Sequence, residues 1–158
     1  MNIAGRLLGI SKSARYAVVG LVYLASLPSD RMVMVEDVAV QLELPPSFLA
    51  KLFQRLARKG LLVSQRGPRG GYGLARPAQS ISLADVLEAA QERVSGERDC
   101  ILEAGRCSSD GPCAIHSKVM AAEAALVAAF KGMSLAQAAM PADGRSVAWD
   151  LEKRQQTP

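Results

Sequence analysis

A mainly α-helical fold with one small β-hairpin, extended by a long helix, is what this 158-residue sequence predicts. Three observations carry that expectation. Apolar residues recur at three- and four-residue spacings in successive stretches between Ser13 and Lys59. Two short extended runs flank the turn Arg66-Gly-Pro-Arg-Gly-Gly. A final apolar stripe then runs from Ile115 to Met133 at near-heptad intervals.

Composition narrows the class. With 49% apolar and 22% charged residues the balance is that of a water-soluble globular protein. The length suits one domain with a real core, or a small domain plus an oligomerisation element. No run approaches the roughly 18 apolar residues of a membrane span, and MNIAGRLLGI is too short and interrupted for a secretory signal. The expectation is a cytoplasmic protein with no membrane partner. Three cysteines in a reducing compartment point away from a disulfide framework and toward metal or redox chemistry.

Residues 1–10 show no pattern and read as a flexible extension. The run SARYAVVGLVYLASL spaces Ala17, Val18, Leu21, Leu24 and Ala25 as one helical face, and Pro28-Ser29-Asp30 ends it. A shorter helix fits Val35 to Leu42, with Val35, Val38, Ala39 and Leu42 inward; Leu44-Pro45 breaks it. A third fits Pro46 to Lys59, with Pro in the first turn, Phe48, Leu49, Leu52, Phe53 and Leu56 inward, and Gly60 as the stop. Its other face carries Ser47, Ala50, Lys51, Gln54, Arg55 and Arg58.

Two helices joined tightly, the second with an outward polar and basic face, form a helix-turn-helix pattern whose second helix suits the major groove. Leu61 to Gln65 and Tyr72 to Leu74 then make a β-hairpin with a basic tip, a wing. Gly67, Gly70 and Gly71 allow close backbone approach, and Arg66 and Arg69 suit a phosphate wall or minor groove. Leu44 to Ala84 holds seven basic and no acidic residues, while the remainder holds 12 basic against 15 acidic, so this block is +7 and the rest −3. That is the electrostatic footprint of a surface for double-stranded DNA.

Ser82 and Asp85 form a capping-box-like start for a helix through Gln91. From Gly111-Pro112 a helix begins again and reaches about Lys131; its stripe of Ile115, Val119, Ala122, Leu126, Phe130 and Met133 lies beyond a core already supplied, so it predicts a homodimer. Ser134 to Gln137 adds a short turn, and from Pro141 the tail reads as flexible.

Between these helices, Cys100 to His116 gathers every cysteine and the only histidine into seventeen residues. Their spacing, Cys100-x6-Cys107-x5-Cys113-x2-His116, lacks the CxxC knuckle of a zinc ribbon. Cys113 and His116 share one face at a helix start, where a thiolate gains from free N–H groups. Three thiolates and an imidazole suit an iron–sulfur cluster. A Cys3His zinc site and a thiol–disulfide switch remain open on spacing alone. A thiol oxidoreductase has less support, because no CxxC, second histidine or substrate-pocket signature accompanies the cysteines; the expectation is no catalytic residue and no enzyme.

Arg15-Tyr16-Ala17, the block SFLAKLFQRLARKGLLVSQRGPRGGYGLARP (Ser47 to Pro77), the Ile81–Leu87 helix start and the three-cysteine loop together resemble the IscR/NsrR/RirA group of dimeric winged-helix iron–sulfur transcription regulators. The likeness spans about Ser11 to Met133. It implies a transcriptional repressor whose operator affinity is set by a cluster, with Cys100, Cys107 and Cys113 matching the cluster cysteines and His116 the histidine ligand of IscR-like 2Fe–2S members. NsrR-like sensors use an aspartate where Arg15 stands, which favours 2Fe–2S over 4Fe–4S. Ser47, Lys51, Arg66, Gly67 and Arg69 match positions expected to touch DNA, whereas Ala50 replaces the glutamate by which IscR discriminates operators.

The resulting plan has a winged helix-turn-helix DNA-binding domain (11–92), a cysteine-rich sensor loop (93–116), a dimerisation helix (113–133) and flexible ends (1–10 and 141–158). The candidate DNA contacts are Ser47, Lys51, Gln54, Arg55, Arg66, Gly67 and Arg69, and the candidate cluster ligands are Cys100, Cys107, Cys113 and His116. The alternative is a winged-helix regulator that senses through bare thiols or zinc.

Overall fold

In the computed structural model, residues 10–67, 70–90 and 114–140 are described. Helix α1 (Lys12–Ala25) starts where Ser11 Oγ accepts the Ala14 N–H at 3.1 Å, satisfying one of the amides a helix start leaves unpaired. It buries Ala14, Ala17, Leu21 and Leu24 along one side. Gly20 lies on that side too: a Cβ there would sit 3.0 Å from a ring carbon of Phe53, so the small residue sets how closely α1 passes the third helix.

Helices α2 (Val35–Gln41) and α3 (Pro46–Arg58) are the expected helix-turn-helix pair. Both end in the same way. In α3 the Leu61 N–H donates to Leu56 O and the Gly60 N–H to Ala57 O, each at 3.0 Å, with Gly60 at φ 74°. In α2 the Leu44 N–H donates to Ala39 O at 2.8 Å and the Glu43 N–H to Val40 O at 3.2 Å, but the left-handed residue is Glu43, at φ 52°. The turn between the two helices therefore rests on a residue for which that conformation is costly.

Strands β1 (Leu62–Gln65) and β2 (Gly71–Leu74) pair antiparallel, Leu62 opposite Leu74 and Gln65 opposite Gly71. The first strand begins one residue later than the sequence pattern suggests, because the Leu61 N–H is taken by the end of α3. The wing is also fastened on its far side: Val33 and Tyr72 exchange backbone hydrogen bonds at 3.0 and 2.8 Å. Gly71 is required there twice over, by its φ of 131° and by the Val33 carbonyl oxygen, 2.3 Å from where a Cβ would stand. Tyr72 sets its ring edge-on against Phe53, centroids 5.3 Å apart, so hairpin and α3 share one core.

After a 3₁₀ turn (Ala78–Ser80), helix α4 (Leu83–Ala90) opens with the reciprocal cap foreseen from Ser82 and Asp85: Ser82 N–H to Asp85 Oδ2 at 3.0 Å, and Asp85 N–H to Ser82 Oγ at 3.1 Å. Val86 and Ala90 are fully buried. Helix α5 (Ala114–Lys131) is followed by α6 (Leu135–Ala139), which Ser134 and Gln137 cap reciprocally.

The chain after α5 does more than add a turn. Leu135 is fully buried in the winged domain's core, and its N–H donates to Ile81 O at 2.8 Å while the Leu83 N–H donates to Met133 O at 2.9 Å. The far end of α5 is thus clamped to the near end of α4. A five-residue helix with one buried leucine is too short for periodicity to announce that role. Among the described residues no polar side chain is buried, and none has a buried atom without a partner.

Candidate nucleic-acid interface

The rotation of α3 about its axis is fixed by Leu49, Leu52, Phe53 and Leu56, none more than 3% exposed. With those positions turned into the core, Ser47, Lys51, Gln54 and Arg58, spaced four, three and four apart, are exposed together along the opposite side. Ala50 is half-buried beside them. The start of the helix is braced by Phe48, whose ring meets Tyr16 of α1 edge to face at 5.6 Å; the Lys12 ammonium lies 5.5 Å above the Tyr16 ring. This backing holds the outward hydroxyl, ammonium and amide side chains on a rigid rod rather than a loop.

Arg66 and Gly67 are exposed where the hairpin leaves β1. Gly67 takes φ 109°, and its carbonyl accepts the Gly70 N–H at 2.9 Å, which turns the chain back toward β2. A Cβ at Gly70 would meet Gln65 O at 2.2 Å, so the turn folds tightly over its own base. Arg69 lies outside the described residues. Arg76, the last cation of the block, reaches Asp85 at 4.0 Å across a solvent-screened gap.

Arg55 departs from the expected outward face. Its guanidinium Nη1 donates to the Ala90 carbonyl at 3.1 Å, and the residue is half-buried. The reason is its helical position: three residues beyond Leu52 and seven beyond Phe48, it falls on the border between the polar and buried stripes. Both neighbours are legible in the sequence; the acceptor, 35 residues away, is not.

Cys100, Cys107 and Cys113 lie outside the described residues, as does the loop 93–113 that carries them. His116 belongs to the first turn of α5 by its backbone, and its side chain is likewise outside the description. The described residues on either side of that segment are Ala90 of α4 and Ala114 of α5. Among the described residues no three histidine, cysteine or carboxylate side chains gather as a metal site, and no helix is long and apolar enough to cross a membrane.

The described elements form a helix with one exposed polar face and a glycine-bent hairpin on one basic stretch of chain. A major groove about 12 Å wide admits such a helix, and the flanking hairpin suits the adjacent backbone. Comparison with known proteins agrees. The family model for Rrf2, described as an iron-dependent transcriptional regulator, matches residues 10–140. A protein of Aquifex aeolicus (strain VF5) named as an HTH-type transcriptional regulator is 36% identical over 127 residues, covering 79% of this chain and 87% of its own. The HTH-type transcriptional regulator IscR of Cereibacter sphaeroides is 40% identical over 88 residues, 54% of this chain and 57% of that protein. Among solved structures, CymR of Staphylococcus aureus superposes with a TM-score of 0.69 at 22% identity, over 84% of this chain and 99% of that one. IscR of T. potens superposes with 0.67 at 20% identity, over 94% and 92%. These two structural likenesses speak to the fold.

Proposed function

This chain belongs to the Rrf2 family of DNA-binding transcriptional regulators rather than to any enzyme class, and from that premise we propose that it is a dimeric repressor whose operator affinity is set by an iron–sulfur cluster. The observation that carries the DNA part is the stripe Ser47, Lys51, Gln54 and Arg58, held outward by a buried stripe on the same helix and followed by exposed Arg66 and Gly67. In this reading α3 lies in the major groove, Ser47, Lys51 and Gln54 meet base edges and the nearby backbone, and Arg66, Gly67 and Arg69 meet the flanking phosphates.

A homodimer is supported by α5. Its 18 residues include no buried one among those described, although Ile115, Val119, Leu126, Val127 and Phe130 are large and apolar. A second copy laid along that helix would cover them and place two copies of α3 on half-sites about one DNA turn, roughly 34–36 Å, apart.

The donor set Cys100, Cys107, Cys113 and His116 fits an iron–sulfur group: three thiolates supply soft anionic ligands and the imidazole makes the site less negative, which raises its potential; the likeness to IscR-like regulators favours 2Fe–2S over 4Fe–4S. When bound, such a group supplies a ligation state that iron supply or oxidants can alter. The chain's own part is to hold two thiolates on the segment after α4, and the third at the threshold of α5 beside His116.

Anaerobic reconstitution with ferrous iron and sulfide, followed by iron and sulfide analysis and absorption spectroscopy, tests the cluster. Two irons and two sulfides per protomer, lost in Cys107→Ser, are expected; zinc alone, or free thiols alone, would replace the cluster reading with the zinc or thiol one. Titration of duplex operator DNA by fluorescence anisotropy tests the reader: affinity should fall with salt at a log–log slope near −0.9 for each phosphate contact.

A further inference from the structure

Among the described candidate DNA contacts, Arg55 is the one with a hydrogen bond that points inward, to the Ala90 carbonyl of α4. Ala90 is the last described residue of α4, and the chain leads on from it to all three cysteines. A carbonyl oxygen has two lone pairs, so the Ala90 carbonyl can take the guanidinium alongside any backbone donor, and the positive charge on the donor makes the bond a strong one. The contact is also sheltered: Ala89 and Ala90 are 7% and 0% exposed, and Leu52 and Leu56, which flank Arg55 on α3, are buried.

At its other end α4 is held just as firmly. The Ser82–Asp85 cap closes its first turn, and the paired backbone bonds Leu83 N–H to Met133 O and Leu135 N–H to Ile81 O tie that turn to the end of α5. Helix α4 is therefore a short rod with three attachments. Its first turn is fixed to the segment that follows the long helix, while its last described residue, Ala90, is gripped by the recognition helix on the side from which the sequence leads to the cysteines.

Resting on the sensing function proposed above, we propose that Arg55 is a positioning residue that transmits the state of the cysteine segment to the recognition helix, and is not a direct DNA contact. A change in ligation pulls on the chain at Ala90. The guanidinium, bonded to that carbonyl from α3, carries the displacement into the helix that presents Ser47, Lys51 and Gln54. Rigid elements joined by a directional bond transmit such a shift; a solvated arginine on the DNA face would not.

The test compares full-length wild type with Arg55→Met, which keeps the stem and removes the cation, and Arg55→Lys, which keeps the charge and removes the planar fork. Operator affinity is measured for each protein after reconstitution with ferrous iron and sulfide and after chelator stripping, across a range of salt. In wild type the two affinities differ; in Arg55→Met their ratio collapses toward one, by at least about threefold, and Arg55→Lys falls between. The salt slope in Arg55→Met stays that of wild type, because no phosphate contact is lost. Amide exchange at residues 87–90 speeds up in Arg55→Met even without the cluster, which also registers the lost grip if the variant loses some stability.

A wild-type ratio retained in Arg55→Met would overturn the role of Arg55 and leave cluster sensing intact. A slope shallower by about 0.9 with the ratio retained would make Arg55 a phosphate contact. A wild type that binds operator equally in both states would sink the sensing function itself, and the transmission with it.

Discussion

Helices α3 and α5 carry similar numbers of large apolar side chains, five and six, and end up in opposite situations. In α3 the apolar residues fall on one stripe and vanish into the core: Leu49, Phe53 and Leu56 are fully buried, and the polar residues have the other stripe to themselves. In α5 alanine, valine and leucine occur all round the helix with few charges, and Ile115 and Val127 remain 44% and 47% exposed. The difference teaches that amphipathicity, rather than hydrophobicity, tells a helix where to stop. A helix apolar on every side has no face that a small domain can leave to water, and it asks for a second partner.

That contrast is open to direct attack. The largest effect is expected at its packed end: Phe53→Ala removes the ring shared by Gly20, Tyr72 and the α3 stripe and should cost about 3–5 kcal/mol in denaturant unfolding, enough to endanger folding. On α5, Leu126→Glu places a charge in the proposed dimer seam. It should raise the dimer dissociation constant at least about 30-fold, roughly 2 kcal/mol, by sedimentation, with a matching loss on a two-half-site operator. The thermal transition of the winged domain should stay nearly where it was; a variant still dimeric would show that the seam lies elsewhere.

Between the two ends stands the wing. Gly71→Ala must put a methyl group against the Val33 carbonyl in a backbone conformation unsuited to it; a destabilisation of about 2 kcal/mol is expected, together with weaker operator binding as the hairpin lifts from its strut. Lys51→Gln acts on the reader alone. Its folding stability should be unchanged within about 0.5 kcal/mol, while the salt slope of operator binding falls by about 0.9 if the ammonium meets a phosphate. A loss confined to one base position would instead assign it to base reading.

The smallest effect distinguishes the two matching helix ends. Glu43→Gly relieves the left-handed strain at the turn and should gain up to about 1 kcal/mol, offset in part by the freer unfolded chain, whereas Gly60→Ala should lose about as much. Calorimetry of the pair measures the cost of carrying glutamate where glycine is the easy choice. The same substitution removes a negative charge from the turn that leads into α3, so slightly tighter nonspecific DNA binding is expected alongside.

Much of this was legible beforehand because it depends on neighbours in sequence. The three- and four-residue spacing of Leu49, Leu52, Phe53 and Leu56, the proline at the start of α3, the glycine at its end and the Ser82–Asp85 cap are all local, and each appears in the structure where the sequence predicts it. The winged helix-turn-helix follows from them in order. Glu43 shows where that legibility ends: nothing in its chemistry announces a left-handed residue, and it adopts one because the α2–α3 corner demands it. Gly71 carried half its reason openly, as a turn glycine, and half hidden, as the place where Val33 crosses.

By itself, then, the sequence determined the rotation of α3, the basic character of one 41-residue stretch and the crowding of every cysteine beside the lone histidine, because periodicity, charge and ligand chemistry are written in residue order. Only the tertiary structure decided that Arg55 turns to Ala90 and that Leu135 brings the end of the long helix back into the core. Those outcomes join residues 35 positions apart, or a helix end to another helix's start, and such contacts follow from which surfaces meet once every element has buried its own apolar face.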